Sequence, residues 1–377
     1  MTAVTPKSCR PVDLGYNAEE SLPALILYAE LTGDEDVGRA VLRTAREHLN
    51  FMLPDGGWDN SFGSRSYKWS WWGSRTSDGC LAGFAALSRH DPVFAAAVQK
   101  NLELLKQCTH DGLLYGGPMY RTAGEPACIH HTFCHAKSVA ALVHDGWQFP
   151  AALPKLPSET AAGARYYPTI DTVRIAQGNW RATVTGYDYE YLPGGPVLAG
   201  SMDPYRQNEP NNMQMPRWRF DICTTSRIEL RRDGKIYCSS NDLTAALTVG
   251  ENETSAGGRL RTAAQDAAGR YDFAVSVMPG KVTVTGQSED ADARFILPVI
   301  SPEGENVAWQ DVNTVRIGSG PAALTVQADR PLTLPPEYGT PVRFRRLFNP
   351  VGGFQSVVLT LPAEHPFTVT LRIGEKE

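Results

Sequence analysis

PAALPKLPSETAAG, residues 150–163, is where this chain changes character. Pro150, Pro154 and Pro157 among small residues read as a linker, placed at 150–164. Upstream of it the apolar residues recur at helical spacing. Leu22, Leu25, Ile26 and Ala29 predict a helix over Ala18–Leu31. Gly33 ends that helix, and Asp34 caps a second that runs to about Met52. Further helices are predicted over Ser77–Ser88, from Asp91-Pro92 to about Cys108, and over Thr132–His144. They pair as hairpins, with long glycine-bearing loops at 53–76 and 109–131 between them. Downstream the pattern is of strands rich in Val, Thr, Ile and Tyr: Thr169–Ile175, Trp180–Tyr187, Arg227–Arg231, Tyr271–Val277, Lys281–Gly286, Ala322–Ala328, Gln355–Leu361 and Phe367–Ile373. Turn pairs such as Asp233-Gly234 and Pro279-Gly280 punctuate them. The fold class is therefore multidomain α+β. An α/α-hairpin domain, an incomplete toroid, covers 1–149, and an antiparallel β-sandwich covers 165–377.

Bulk properties narrow the function. The 377 residues suffice for two cores, and 20% charged residues with a net charge of −5 describe a globular acidic chain. No basic run marks a nucleic-acid partner. The apolar stretch Leu22–Leu31, broken by Pro23 and Glu30, is too short to span a membrane. MTAVTPKSCRPVDLGYN at the start has no apolar run of the secretory kind, so compartment is open. The seven cysteines follow no disulfide spacing and read mostly as buried thiols.

Chemistry concentrates in three stretches. GGWDNSFGSRSYKWSWWGSRTSD (56–78) holds four of the eight tryptophans together with Asn60, Arg65, Tyr67, Lys68 and Arg75. Indole faces interleaved with amide and cationic groups suit a sugar ring and its carboxylate. Pinning a loop to a helical core is the plainer use of such indoles. YGGPMYRTAGEPACIHHTFCHAK (115–137) holds Tyr115, Tyr120, Arg121, Glu125, His130, His131 and His135. His131 and His135 share a helix face. With Cys128 and Cys134 nearby, zinc must be weighed, but neither CxxC nor HExxH is present. Proton transfer by His130 or His131 with a nearby tyrosine is the favoured reading, against a histidine cluster that only caps the helix. The third stretch, Gly200–Trp218, carries Tyr205, Arg206, Gln207, Asn208, Glu209, Asn211 and Asn212 between prolines, and is expected to close a cleft or to brace the two domains.

GYNAEESLPAL (15–25), GGWDNSFGSR (56–65) and GEPACIHHTFCHAK (124–137) resemble parts of toroid-type polysaccharide lyases, the heparinase II/III-like and alginate lyase groups. Residues 1–150 supply about half the hairpins of a closed toroid of that type, which implies either that the N-terminal half of the domain is missing or that this is a shortened relative with an open helical layer. The resemblance implies β-elimination at a uronic acid. Asn60 and Arg65 would neutralise the carboxylate, with Lys68 or Arg75 in reserve. His131 or His130 and Tyr120 or Tyr67 would act as base and acid. Trp58, Trp69 and Trp72 would stack on sugars, and Tyr115, Glu125, His135, Tyr205, Arg206, Glu209 and Asn211 would bind substrate. The scheme needs no cofactor or catalytic metal, although relatives can carry a structural divalent ion. The implied partner is an acidic polysaccharide, and the implied location is periplasmic or secreted. Two other readings stand beside this one. A toroid-type glycoside hydrolase would draw two carboxylic acids from Asp55, Asp59, Asp78 and Glu125. A non-catalytic glycan-binding protein would need only the tryptophans.

Overall fold

In a computed structural model of the chain, the described residues are 14–59, 76, 79–160, 163–170, 172–178, 180–185, 226–232, 235–239, 246–249, 255–261, 270–302, 304–335 and 354–374. The helical part opens with a single turn, α1 (Leu14–Tyr16), and a π turn at Asn17–Ser21. These lead into α2 (Leu22–Thr32) and α3 (Glu35–Leu49). Gly33 closes α2 in the left-handed region (φ 72°), where a side chain would be strained. Asp34 then caps α3, accepting from the Val37 amide at 3.0 Å. α3 stops at Leu49, short of the expected Met52. The Asn50 amide turns back to Glu47 and His48, and Met52 pairs instead with Trp58.

α4 (Leu81–Leu87) starts later than the expected Ser77, and the Gly79 amide just before it donates to the Glu19 carboxylate. α5 (Val93–Gln107) follows, then a small hairpin of β1 (Thr109–His110) and β2 (Leu113–Leu114), and α6 (Ile129–His144). α2 packs on α3 and α4, and α4 packs on α5 and α6. Their core holds Leu22, Ile26, Leu49, Phe84, Phe94 and Leu104. The Phe84 and Phe94 rings meet edge-on at 5.1 Å. Burying each is worth about 2–3 kcal/mol. Outward, α2 shows Leu25, Leu27, Tyr28 and Leu31, and α6 shows Ile129, Phe133 and Val143.

The segment read as a linker is packed rather than loose. It contains the turn α7 (Pro157–Thr160), and Leu156 and Ser158 are fully buried. Beyond it, β3 (Gly163–Tyr167), β4 (Thr172–Gln177) and β5 (Trp180–Thr185) form a three-stranded antiparallel sheet. A four-stranded sheet uses β6 (Arg227–Arg232) and β7 (Lys235–Cys238). The eight-stranded sheet takes β8 (Ala246–Val249), β9 (Ser255–Arg261), β10 (Arg270–Met278) and β11 (Lys281–Ser288). β12 (Arg294–Pro302) belongs to the four-stranded sheet. β13 (Val307–Asp311), β14 (Thr314–Ile317), β15 (Leu324–Ala328) and β17 (Phe367–Ile373) extend the eight-stranded one, and β16 (Phe354–Pro362) pairs with β12.

The eight-stranded order is β13-β14-β15-β17-β11-β10-β9-β8, and the four-stranded order is β16-β12-β6-β7. Every described ladder is antiparallel. Val173, Ile228, Val277, Phe295, Leu359 and Val369, from all three sheets, share one apolar core. β12 escapes sequence reading because it contains Pro298. Among the described residues its pairing with β6 covers Arg294–Ile296, and Pro298 is matched with Val358 of β16.

One face of the β3–β5 sheet meets the helices. Arg165 Nη2 reaches the Glu47 carboxylate at 2.7 Å, the Tyr167 ring lies 4.8 Å from Phe51, and Arg181 Nε donates to the Ser158 carbonyl at 2.9 Å. No described helix is long and apolar enough to cross a membrane.

Candidate active site

The tryptophan-rich stretch leaves the helical core at Gly56. That residue sits at φ +88° with its α-carbon pressed on the Lys100–Asn101 backbone, where a Cβ would lie 2.3 Å from a carbonyl oxygen. The buried Asn101 side chain donates to the Gly56 carbonyl at 3.0 Å, and Asp55 Oδ1 accepts from the Gly57 amide at 3.1 Å. Trp58 does not stand ready for a sugar. It is 2% exposed in the helical core, with Phe84 edge-on at 6.0 Å. Asp59 is also buried. Its amide donates to Phe51 at 2.9 Å, and its carboxylate accepts from Thr183 Oγ1 of β5 at 2.5 Å. Arg174 on β4, 6% exposed, faces the same carboxylate. Burial depresses its guanidinium pKa, and the Asp59 charge partly restores it. Asn60, Arg65, Tyr67, Lys68, Trp69, Trp72 and Arg75 lie outside the described residues.

The stretch returns at Thr76, which is fully buried and bound on three sides. Its amide donates to the Gly116 carbonyl at 3.3 Å, and its hydroxyl to the Tyr115 carbonyl at 2.7 Å. Its own carbonyl accepts from His135 Nε2 at 2.8 Å. That bond fixes the proton on Nε2 of His135, because a carbonyl can only accept. His135 Nδ1 faces Glu19 Oε1 at 3.4 Å, and Glu19 Oε2 accepts from the Gly79 amide at 2.9 Å. His135, expected to touch substrate, is instead committed on both ring nitrogens to holding the fold.

α6 presents the remaining histidines. The Cys128 amide donates to the Leu114 carbonyl, and Thr132 Oγ1 accepts from the Leu114 amide at 2.9 Å, so β2 fixes the start of the helix. His130 is exposed and His131 is 8% exposed beside it, the two rings 5.6 Å apart. Cys134 Sγ lies 3.7 Å from His130 Nε2. Burial, then Glu19 and Glu20, raise the thiol pKa above its ordinary value. No group of three metal-ligating side chains occurs among the described residues.

Tyr120 departs from expectation. It is 2% exposed, its phenol oxygen is enclosed without a hydrogen-bond partner among the described residues, and its ring lies so close to Gly116 that a Cβ there would be 2.5 Å away. Burial first, then the Glu125 charge, push its pKa far up. Its phenol is thus enclosed and out of a polymer's reach in this state. Tyr115 is half-buried next to Thr76, its ring 5.5 Å from His110, and Glu125 is half-buried nearby. Tyr205, Arg206, Glu209 and Asn211 lie outside the described residues. A groove of about 350 Å³ between α2 and α3, lined by Ile26, Ala29, Val41 and Leu42, takes none of the candidate residues.

The structure therefore brings His130, His131 and Tyr115 to one region and sends Trp58 and Tyr120 into the core. Sequence reading missed Glu19, Thr76, Asn101, Arg174 and Thr183. Of these only Glu19 carried a signal, lying in the GYNAEESLPAL stretch.

Residues 1–160 match the family described as Ulvan lyase N-terminal domain, and residues 164–194 and 193–374 match Ulvan lyase C-terminal domain. The broad-specificity ulvan lyase of Formosa agariphila is 37% identical over 388 residues, covering 94% of this chain and 60% of that protein. A solved structure, 4-α-glucanotransferase from Thermococcus litoralis, covers 96% of this chain and 57% of its own at 8% identity and a TM-score of 0.26, too remote to bear on the fold. A helical layer followed by antiparallel sheets, with histidines and a tyrosine at the end of a helix, is the frame on which these matches fall. The chain belongs to the ulvan lyase family. It spans about 60% of the length of the curated relative it matches.

Proposed function

We propose that this chain is a polysaccharide lyase, a carbon–oxygen lyase that cleaves a uronic-acid-containing glycan of the ulvan class by β-elimination. The observation that carries the reading is its 37% identity, over 94% of its length, to a broad-specificity ulvan lyase. In the reaction a base takes the C5 proton of the uronate. The electron pair becomes the C4–C5 double bond, the C4–O bond breaks, and an acid gives the leaving oxygen its proton. His130 or His131 is the base, and Tyr120 or Tyr67 the acid; because Tyr120 is enclosed, Tyr115, half-buried next to the β2 strand that anchors the start of α6, is a further candidate for the acid. Asn60 and Arg65 neutralise the carboxylate, with Lys68 or Arg75 assisting, and Trp69 and Trp72 stack on flanking sugars. Tyr205, Arg206, Glu209, Asn211 and Glu125 contact the chain further out. These residues work on an incomplete toroid (1–149) joined by 150–164 to a β-sandwich (165–377), without a cofactor, in the periplasm or outside the cell.

A hydrolase would need a free pair of carboxylic acids. Of the four candidates, Asp55 and Asp59 hold the Gly57 amide and Thr183, which leaves Glu125 and Asp78, the latter outside the described residues, as the pair a hydrolase would use. The test is ultraviolet absorbance of the protein mixed with ulvan and other uronate polymers. A conjugated double bond should appear with ulvan, and be lost in one of His130→Ala and His131→Ala. Reducing ends without absorbance would move the assignment to hydrolysis. Full activity in both variants would sink the histidine assignment.

A further inference from the structure

Glu19 belongs to none of the stretches that the elimination scheme uses, yet it sits at the centre of the geometry. Its side chain is 11% exposed, and both oxygens are engaged on groups sixty or more residues away: Oε2 with the Gly79 amide, Oε1 with His135 Nδ1. The backbone that carries it is the π turn Asn17–Ser21, and such turns are rare and cluster at functional sites. The wider turn changes the direction of the side chains on that stretch, so that α2 continues outward while Glu19 points in. From His135 the connection runs through Nε2–H to the Thr76 carbonyl, then through the Thr76 hydroxyl and amide to the Tyr115 and Gly116 carbonyls. The ring of His135 is one helical turn beyond His131 on the same face of α6.

We infer that Glu19 is a positioning residue for the elimination. Its carboxylate can only accept, so it holds the ring when His135 Nδ1 carries a proton, with Nε2–H still donating to Thr76, and thereby fixes α6, with His131, against the turn that carries Tyr115. Gly79 is part of the same device. A Cβ at that position would stand 3.0 Å from His135 Cε1 and 3.1 Å from Nδ1, so only glycine lets the carboxylate bridge and the ring close together. The inference rests on the lyase reading for its kinetic consequence, but the clamp itself is testable without it.

The experiment uses the full chain with three variants, read by nitrogen-15 NMR of the histidine rings and by initial rates of unsaturated-product formation from ulvan. Glu19→Ala should release the His135 ring, abolishing its hydrogen-bonded Nε2–H signal. It should also lower kcat by about tenfold or more with KM within about twofold, the order expected when a reacting group is misplaced. Glu19→Gln, whose amide oxygen can still accept from Gly79 and whose NH2 can donate to the Nδ1 lone pair of a singly protonated ring, should keep the Nε2–H signal and restore most of the rate. Should Glu19→Ala fail to fold, Gly79→Ala displaces the same ring from the other side and should lower kcat alike. An unchanged ring signal in Glu19→Ala overturns the clamp. An altered signal with unchanged kcat, or a rise in KM alone, overturns the positioning role. No product from the wild-type protein would refute the lyase reading and leave the ring signals to decide the clamp by themselves.

Discussion

Trp58 gives the sharpest contrast between a sugar platform and a structural beam. Its indole is 2% exposed and packs edge-on against Phe84 beneath the root of the tryptophan-rich stretch. An indole buries about 200 Å², worth about 5 kcal/mol at the usual area coefficient. Measured Trp→Ala losses in cores run about 3–5 kcal/mol once the cavity partly relaxes. Trp58→Ala should therefore destabilise the helical half by about 4 kcal/mol. Trp58→Phe, which keeps the edge-on contact, should cost about 1–3 kcal/mol. Urea denaturation followed by far-ultraviolet circular dichroism reads both, and initial rates on ulvan read KM. The folded Trp58→Phe protein should keep the wild-type KM within about twofold, well below the tenfold that 1.4 kcal/mol of lost binding would give. The reasoning fails if Trp58→Ala costs less than about 1 kcal/mol while KM rises about tenfold, because that is the signature of a stacking platform.

Two further predictions concern the scaffold. Asn101→Ala removes the donor to the Gly56 carbonyl from a fully buried position and should cost about 1–3 kcal/mol in urea denaturation. A loss below about 0.5 kcal/mol would mean that Gly56 is held by shape alone. His48 is 7% exposed, its Nδ1 donates to the Thr44 carbonyl, and burial lowers its pKa below the ordinary 6.5. The unfolded chain then binds the proton more readily, so stability should fall as pH drops below about 6.5 and be flat above it. His48→Gln should flatten that slope in thermal melts taken across the range. An equal slope in the variant would assign the acid sensitivity to other groups.

The parts legible in the sequence are those set by local chemistry. Gly33 followed by Asp34 marks a helix end and a helix start with two residues, and both act as their side chains dictate. Phe367–Ile373 alternates so regularly that its strand bounds are those expected. β12 was hidden because Pro298 argues against a strand in the sequence, although the strand runs from Arg294 to Pro302 in pairing with β16. The candidate site was harder for the same reason on a longer scale. Aromatic residues announce that something will be covered, but not whether by sugar or by protein, and so Trp58 and Tyr120 read as contacts when they are packing. Glu19 and Thr183 matter through partners sixty and more than a hundred residues away, and no spacing rule connects them.

The seam between the helices and the β3–β5 sheet has a consequence for how such chains can evolve. Glu47, Asp59 and Ser158 on one side answer Arg165, Thr183 and Arg181 on the other, and Asp59 belongs to the very stretch that the site depends on. A recombination event that replaced the sheets with an unrelated module would strand a buried carboxylate at the doorway of the active centre. The two halves are therefore coupled through these polar pairs, and a change on one side of the seam has to be matched on the other.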